Sequence, residues 1–174
     1  GRFKVMMGPH APYTCPPDYI RKVRDVAEKY DMPIHIHLSE TKGEVENCEK
    51  EYHMTPIALM DSLGLFERPT LAAHCVHVTD DDIRIMKEKH VCAAHNPASN
   101  LKLASGIAPV PKMRKAGITV GIGTDGASSN NKLDMFAEMR LTALIHKAAN
   151  YDPFAITAKE AVDMATKDGA KCLG

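Results

Sequence analysis

Five short apolar runs, each followed by a helix-like stretch, constrain the fold of this 174-residue chain more than any other feature. The runs are FKVMM at 3–7, PIHIHL at 33–38, TLAAHCV at 70–76, VCAAHN at 91–96 and ITVGIG at 118–123. A strand followed each time by a helix is a repeated βα unit, and repeated βα units build a parallel sheet in an α/β fold. Spacings of this kind fit either a doubly wound sheet or an arc of a (β/α)₈ barrel. After the first run the sequence reads GPHAPYTC, with one glycine and a histidine rather than a glycine-rich phosphate loop. The expectation is therefore a partial (β/α)₈ TIM barrel of about five parallel strands, corresponding to strands four to eight, with their helices.

The punctuation between the runs supports helices. Thr14 and the Pro16-Pro17 pair precede a stretch in which Ile20, Val23, Val26, Ala27 and Tyr30 share one face. Thr55 caps a helix with Pro56 in its first turn and Gly64 as its stop. Thr79 precedes Asp80, Asp81 and Asp82, acidic groups that favour a helix N-terminus. Met113 to Ala116 stops at Gly117, a long helix covers Leu133 to Ala149, and Thr157 with Glu160 makes a capping box for a last one.

The chain is long enough to bury a core as a single domain, 1–174. Lysine plus arginine balance aspartate plus glutamate at 22 each, which excludes a net field that would attract nucleic acid or an anionic membrane. No apolar run approaches 18 residues, and the first ten residues lack the order of a signal peptide. Cys15, Cys48, Cys75, Cys92 and Cys172 form no CxxC pair, which predicts reduced thiols and a cytoplasmic protein. The first residue is glycine and a strand-like run begins almost at once, which predicts a fragment of a longer chain.

The runs close on chemically capable residues: His10, then His35 and His37 with Glu40, then His74 and His77, then His95, then Asp125. In a parallel barrel the C-terminal strand ends converge on one rim. One such histidine alone reads as a hydrogen-bonded core or cap residue; the succession points to a site. His35 and His37 alternate on a strand and share a side, opposite Ile34, Ile36 and Leu38. Imidazole and carboxylate suit zinc or iron, so His37 and Asp125 are candidate metal ligands. His35 fits a hydrogen-bonding role one layer deeper, and His95 of HNPASN fits a role in orienting its loop. Glu40, three residues past His37, is placed for proton transfer. In TDGASSNN, Asp125 is either a metal ligand or a helix cap.

GPHAPYTC, HIHLSET, AAHCVHV, AHNPASNLKLASGIAPV and GTDGASSNN, in this order, resemble the amidohydrolase superfamily. The likeness is greatest to the methylthioadenosine/S-adenosylhomocysteine deaminases, then to chlorohydrolases and guanine deaminases. It implies a (β/α)₈ barrel flanked by a β-sandwich, with one divalent metal, zinc or iron, at the rim. It further implies that His37 and Asp125 bind the metal and that Glu40 protonates a purine ring nitrogen. His74 would orient the attacking water, Asp125 would take its proton, and His10, Glu40 and Ser129 would lie against the purine nucleoside.

Such enzymes begin with a strand ending in His-x-His that supplies two further ligands. No such strand and no β-sandwich is found here. The expectation is an active deaminase of adenosine derivatives in the full-length parent, with this chain binding metal weakly or not at all. Exposed barrel edges predict self-association. Another aminohydrolase of the superfamily, and a non-catalytic self-associating fragment, are the alternatives.

Overall fold

The computed structural model describes residues 3–174. Its centre is a parallel sheet of four strands in the order β1-β2-β3-β4, namely Ile34–Leu38, Thr70–His74, Cys92–His95 and Val120–Ile122. Spatial order follows chain order throughout, with no reversal of the kind a doubly wound sheet requires. The sheet is an open arc of a barrel wall.

Helices precede, join and follow the strands. α1 (Pro17–Lys29) enters β1; α2 (Lys42–Tyr52) and α3 (Pro56–Ser62) lead to β2; α4 (Asp80–Glu88) leads to β3. α5 (Pro97–Lys102) and α6 (Val110–Lys115) lead to β4. After it come α7 (Ala127–Asn130), α8 (Met135–Asn150), α9 (Ala158–Asp163), a π-helical turn at Met164–Asp168 and α10 (Gly169–Leu173).

The expected first strand is corrected. Residues 3–6 join no strand, and only Met7 bridges to Ile34. Pro9 has no N–H to extend the ladder, and Phe3 and Val5 have nothing to pack against, at 94% and 67% exposure. On α1, Ile20, Val23 and Ala27 are buried as expected, whereas Val26 and Tyr30 face solvent. The caps at Thr55, Thr79 and Thr157 form as expected, the last two as reciprocal capping boxes. Gly64 ends its helix at φ 73°, a conformation that penalises residues with a Cβ.

The core lies between the sheet and the helices. Ile34, Ile36 and Leu38 on β1, Ala72 on β2, Ala93 on β3 and Val120 and Ile122 on β4 pack with Ile20, Ile57, Met60, Met86 and Met113. Each fully buried isoleucine contributes roughly 1.5–3 kcal/mol of transfer free energy. The same alternation turns His35 and His37 to the opposite, inner face. There a cavity of about 540 Å³ is lined by His35, His37, Leu71, Ala73 and Asp125 and floored by α10.

Candidate active site

Three strand ends form the site, and each turns through a backbone conformation that side-chain-bearing residues seldom adopt. Ser39 after β1 has φ 52°, His74 and Cys75 at the end of β2 have 74° and 48°, and Asp125 after β4 has 59°. Such residues persist only where their surroundings hold them. Here the Ser39 carbonyl accepts from the N–H groups of Val76 (3.0 Å) and His77 (2.9 Å), and the Leu38 carbonyl from Cys75 (3.1 Å).

The turns bring His37, His74 and Asp125 together, with one donor atom of each within 4.8 Å of the others. His37 Nδ1 lies 2.6 Å from the carbonyl oxygen of His10. A carbonyl only accepts, so Nδ1 carries the proton and Nε2 is left as a lone-pair donor, the usual state of a metal-binding imidazole. His74 stacks on His37 at 5.4 Å between ring centroids. Its Nδ1 meets Asn100 Oδ1 at 2.8 Å, and its Nε2 is 3.7 Å from Glu40 Oε2. Ser105 donates to Glu40 Oε1 at 3.4 Å.

Asp125 accepts from Ser99 Oγ at 2.6 Å and from Ser129 Oγ at 2.8 Å, both on Oδ2. Burial pushes this carboxyl up, but those two hydroxyls, the Gly126 N–H and the nearby His74 outweigh it and hold it below its usual value. Two imidazoles and one ionised carboxylate oxygen are a donor set that suits zinc or a similar divalent ion. The residues present therefore fit a metal.

The expected site residues are thus partly brought together. His37, Glu40, His74 and Asp125 converge, and Ser129 touches Asp125. His10 lies on the rim with its ring 5.0 Å from that of His37, and its own Nδ1 bonds Thr14 Oγ1 at 2.7 Å. His77 instead anchors a loop through Ser105 O at 2.7 Å. His95 turns to the helix side, where its Nε2 lies 3.2 Å from that of His146 on α8. Both rings are buried, and burial lowers both pKa values, that of His146 to about 4.

The sequence reading missed Ser99, Asn100, Ser105, His146 and two buried glutamates. Glu138 accepts from Ala98 N (3.1 Å) and Asn130 Nδ2 (2.8 Å), tying α8 to α5 and α7. Glu44 accepts from the backbone of Ser39 and Glu40. Signals for three of these stood in plain view: HNPASN contains Ser99 and Asn100, and Thr41-x-x-Glu44 is a capping-box pattern.

The chain is 58% identical over 174 residues to the 5-methylthioadenosine/S-adenosylhomocysteine deaminase of Dictyoglomus thermophilum, a match covering all of this chain and 41% of that protein. It therefore spans about two fifths of the length of this relative. A crystal structure of an adenosine deaminase from Xanthomonas campestris with bound zinc superposes with a TM-score of 0.93 at 41% identity, covering 97% of this chain and 38% of that one. Guanine deaminase from C. acetobutylicum with bound guanine superposes at 0.90 and 28% identity, covering 97% and 42%. The pattern that defines the Amidohydrolase family matches residues 1–174. The chain belongs to the amidohydrolase family.

Proposed function

We propose that the full-length protein carrying this chain is a metal-dependent deaminase that converts an adenosine derivative, such as S-adenosylhomocysteine, methylthioadenosine or adenosine, to the inosine analogue and ammonia. The observation that carries this is the convergence of His37, His74 and Asp125 within 4.8 Å with Glu40 alongside. The 58% identity to a protein named for this reaction supports the choice of substrate.

His37 and Asp125 hold the divalent metal, which is zinc in this reading, as in the Xanthomonas campestris structure. When bound, such an ion lowers the pKa of water toward ~7. His37 offers Nε2 because its Nδ1 proton is committed to His10 O. Asp125 offers Oδ1 because Oδ2 is engaged by two serines, and it accepts the proton of the attacking water. His74, fixed by Asn100, orients that water. Glu40 protonates a purine ring nitrogen and then assists departure of ammonia from C6. His10 and Ser129 lie against the nucleoside.

His37 and Asp125 are two ligands of a larger set, so this chain alone, residues 1–174 as one domain, holds metal weakly and is inactive. The five cysteines are unpaired, which supports a reducing, cytoplasmic setting. Among the described residues no helix is long and apolar enough to cross a membrane.

The test is ammonia release from S-adenosylhomocysteine and methylthioadenosine by the metal-loaded full-length protein. Turnover of either supports the reading. Inactivity on both, together with turnover of guanine or a chlorotriazine, would assign another aminohydrolase reaction; the superposition on guanine deaminase is what favours that second reading.

A further inference from the structure

Glu44 stands at the third position of α2, where a glutamate normally closes a capping box on the cap residue's own N–H. Thr41 does its half, accepting from Glu44 N at 3.1 Å. The Glu44 carboxylate reaches further back. Oε1 accepts from Ser39 N at 2.8 Å and Oε2 from Glu40 N at 2.8 Å. These are consecutive N–H groups of the left-handed turn that lifts Glu40 off the end of β1. The other side of the turn is held by the Val76 and His77 N–H groups on Ser39 O. Glu44 is 6% exposed and among the described residues forms no ion pair within 4 Å. A buried carboxylate without a cation is costly unless its hydrogen bonds compensate, and a simple helix cap needs no such arrangement.

We infer that Glu44 is a positioning residue for Glu40: its two oxygens grip the Ser39 and Glu40 amides and so fix where the Glu40 carboxylate meets the reacting ring. The inference rests on the deaminase reading for its catalytic consequence, and on geometry alone for the grip. Gln at position 44 keeps the shape but points an N–H₂ at one backbone N–H, so the turn must move. Displacement of a reacting group by about 1 Å costs on the order of 100-fold in rate.

The experiment measures kcat, KM and bound metal for S-adenosylhomocysteine in the full-length protein, as wild type, Glu40→Gln, Glu44→Gln and the double variant. Glu44→Gln is expected to lower kcat about 10- to 100-fold with KM and metal content within about twofold. On the Glu40→Gln background it adds nothing, because a residue that acts only through Glu40 has no separate effect once Glu40 is gone. Losses that multiply in the double variant, or an unchanged kcat in Glu44→Gln, overturn the inference. Glu44→Ala, which lets water reach the two amides, replaces Glu44→Gln if the latter does not fold. If the wild-type protein deaminates no adenosine derivative, the functional reading fails separately. The grip is then decided in this chain by amide hydrogen exchange: Glu44→Gln accelerates exchange at Ser39 and Glu40 but not in β2 or β3, and unchanged exchange at those two amides overturns it.

Discussion

Both hydroxyl hydrogen bonds to Asp125 fall on one oxygen, from Ser99 at 2.6 Å and Ser129 at 2.8 Å. The arrangement leaves Oδ1 without a hydroxyl donor among the described residues, and a carboxylate oxygen of Asp125 lies within 4.8 Å of the donor atoms of His37 and His74. Groups that orient a metal ligand are worth about 10- to 100-fold in metal affinity. Ser99 is fully buried, and alanine fits its space. Ser99→Ala is therefore expected to weaken zinc binding by the full-length protein about 10-fold with little loss of stability. Competition with a zinc-sensitive dye measures this, and unchanged affinity would show that Ser129 suffices. At Glu40 the side chain is held only at 3.4 Å by Ser105 and lies 3.7 Å from His74. Glu40→Gln keeps those contacts but cannot carry a proton. Its kcat is expected to fall by about 100-fold or more, the range general acid–base catalysis supplies, with metal content retained.

Between elements, Asp82 joins two helices at their N-termini. Its Oδ2 accepts from the Thr79 N–H at the start of α4, and its Oδ1 from the hydroxyl of Thr55, the residue that caps α3. Asp82 is 1% exposed. Removing the carboxylate orphans one backbone and one hydroxyl donor, so Asp82→Ala is expected to cost roughly 2–4 kcal/mol, against about 1 kcal/mol for Thr79→Ala. Urea denaturation of this chain ranks the two, and equal losses would mean that the bridge to α3 contributes nothing. The His95–His146 contact joins β3 to α8 in the same way. Burial holds His146 down to about 4 from 6.5, so the folded chain binds its proton less readily than the unfolded chain. The stability this represents is fully present above about pH 6.5 and is lost as pH falls toward about 4, on the order of 3 kcal/mol. Melting curves between pH 7.5 and 4.5 test it: replacing His146 with Leu should flatten the decline, and a decline of the same steepness would exclude His146 as its source.

At the scale of the molecule, the arc is a barrel wall whose inner face is covered only in part, with Leu71 and Ala73 buried and His35 exposed. β1 and β4 are edge strands, β1 bordered on its free side by the Met7 bridge and by the bond from the His37 N–H to His10 O, and the inner cavity of about 540 Å³ is lined by His35, Leu71, Ala73 and Ala94. Phe136 and Phe154 add exposed apolar surface at 80% and 77%. Unpaired edges and open apolar faces favour association. Light scattering on the purified chain is expected to show concentration-dependent self-association, and a monomer at every concentration would overturn this. Metal analysis of the same sample is expected to show little zinc, because in the proposed reading His37 and Asp125 are two ligands of a larger set; a stoichiometric, tightly held ion would contradict that.

Much of this molecule is legible in the chain itself. Alternation placed Ile34, Ile36 and Leu38 opposite His35 and His37, the caps at Thr55, Thr79 and Thr157 were read correctly, and the strand-end residues His37, Glu40, His74 and Asp125 announced the site. Those features depend on neighbours within a few residues, which a sequence records directly. Tertiary structure alone decided what each side chain meets. His95 pairs in register with Ile122, on the face with Ala93 and Val120, and so meets His146 rather than the site. Ser99 reaches Asp125 across 26 residues, and Asn100 reaches His74 across 26. Such contacts follow from strand register and from where each helix crosses the sheet, quantities set by packing of the whole core and written in no local pattern.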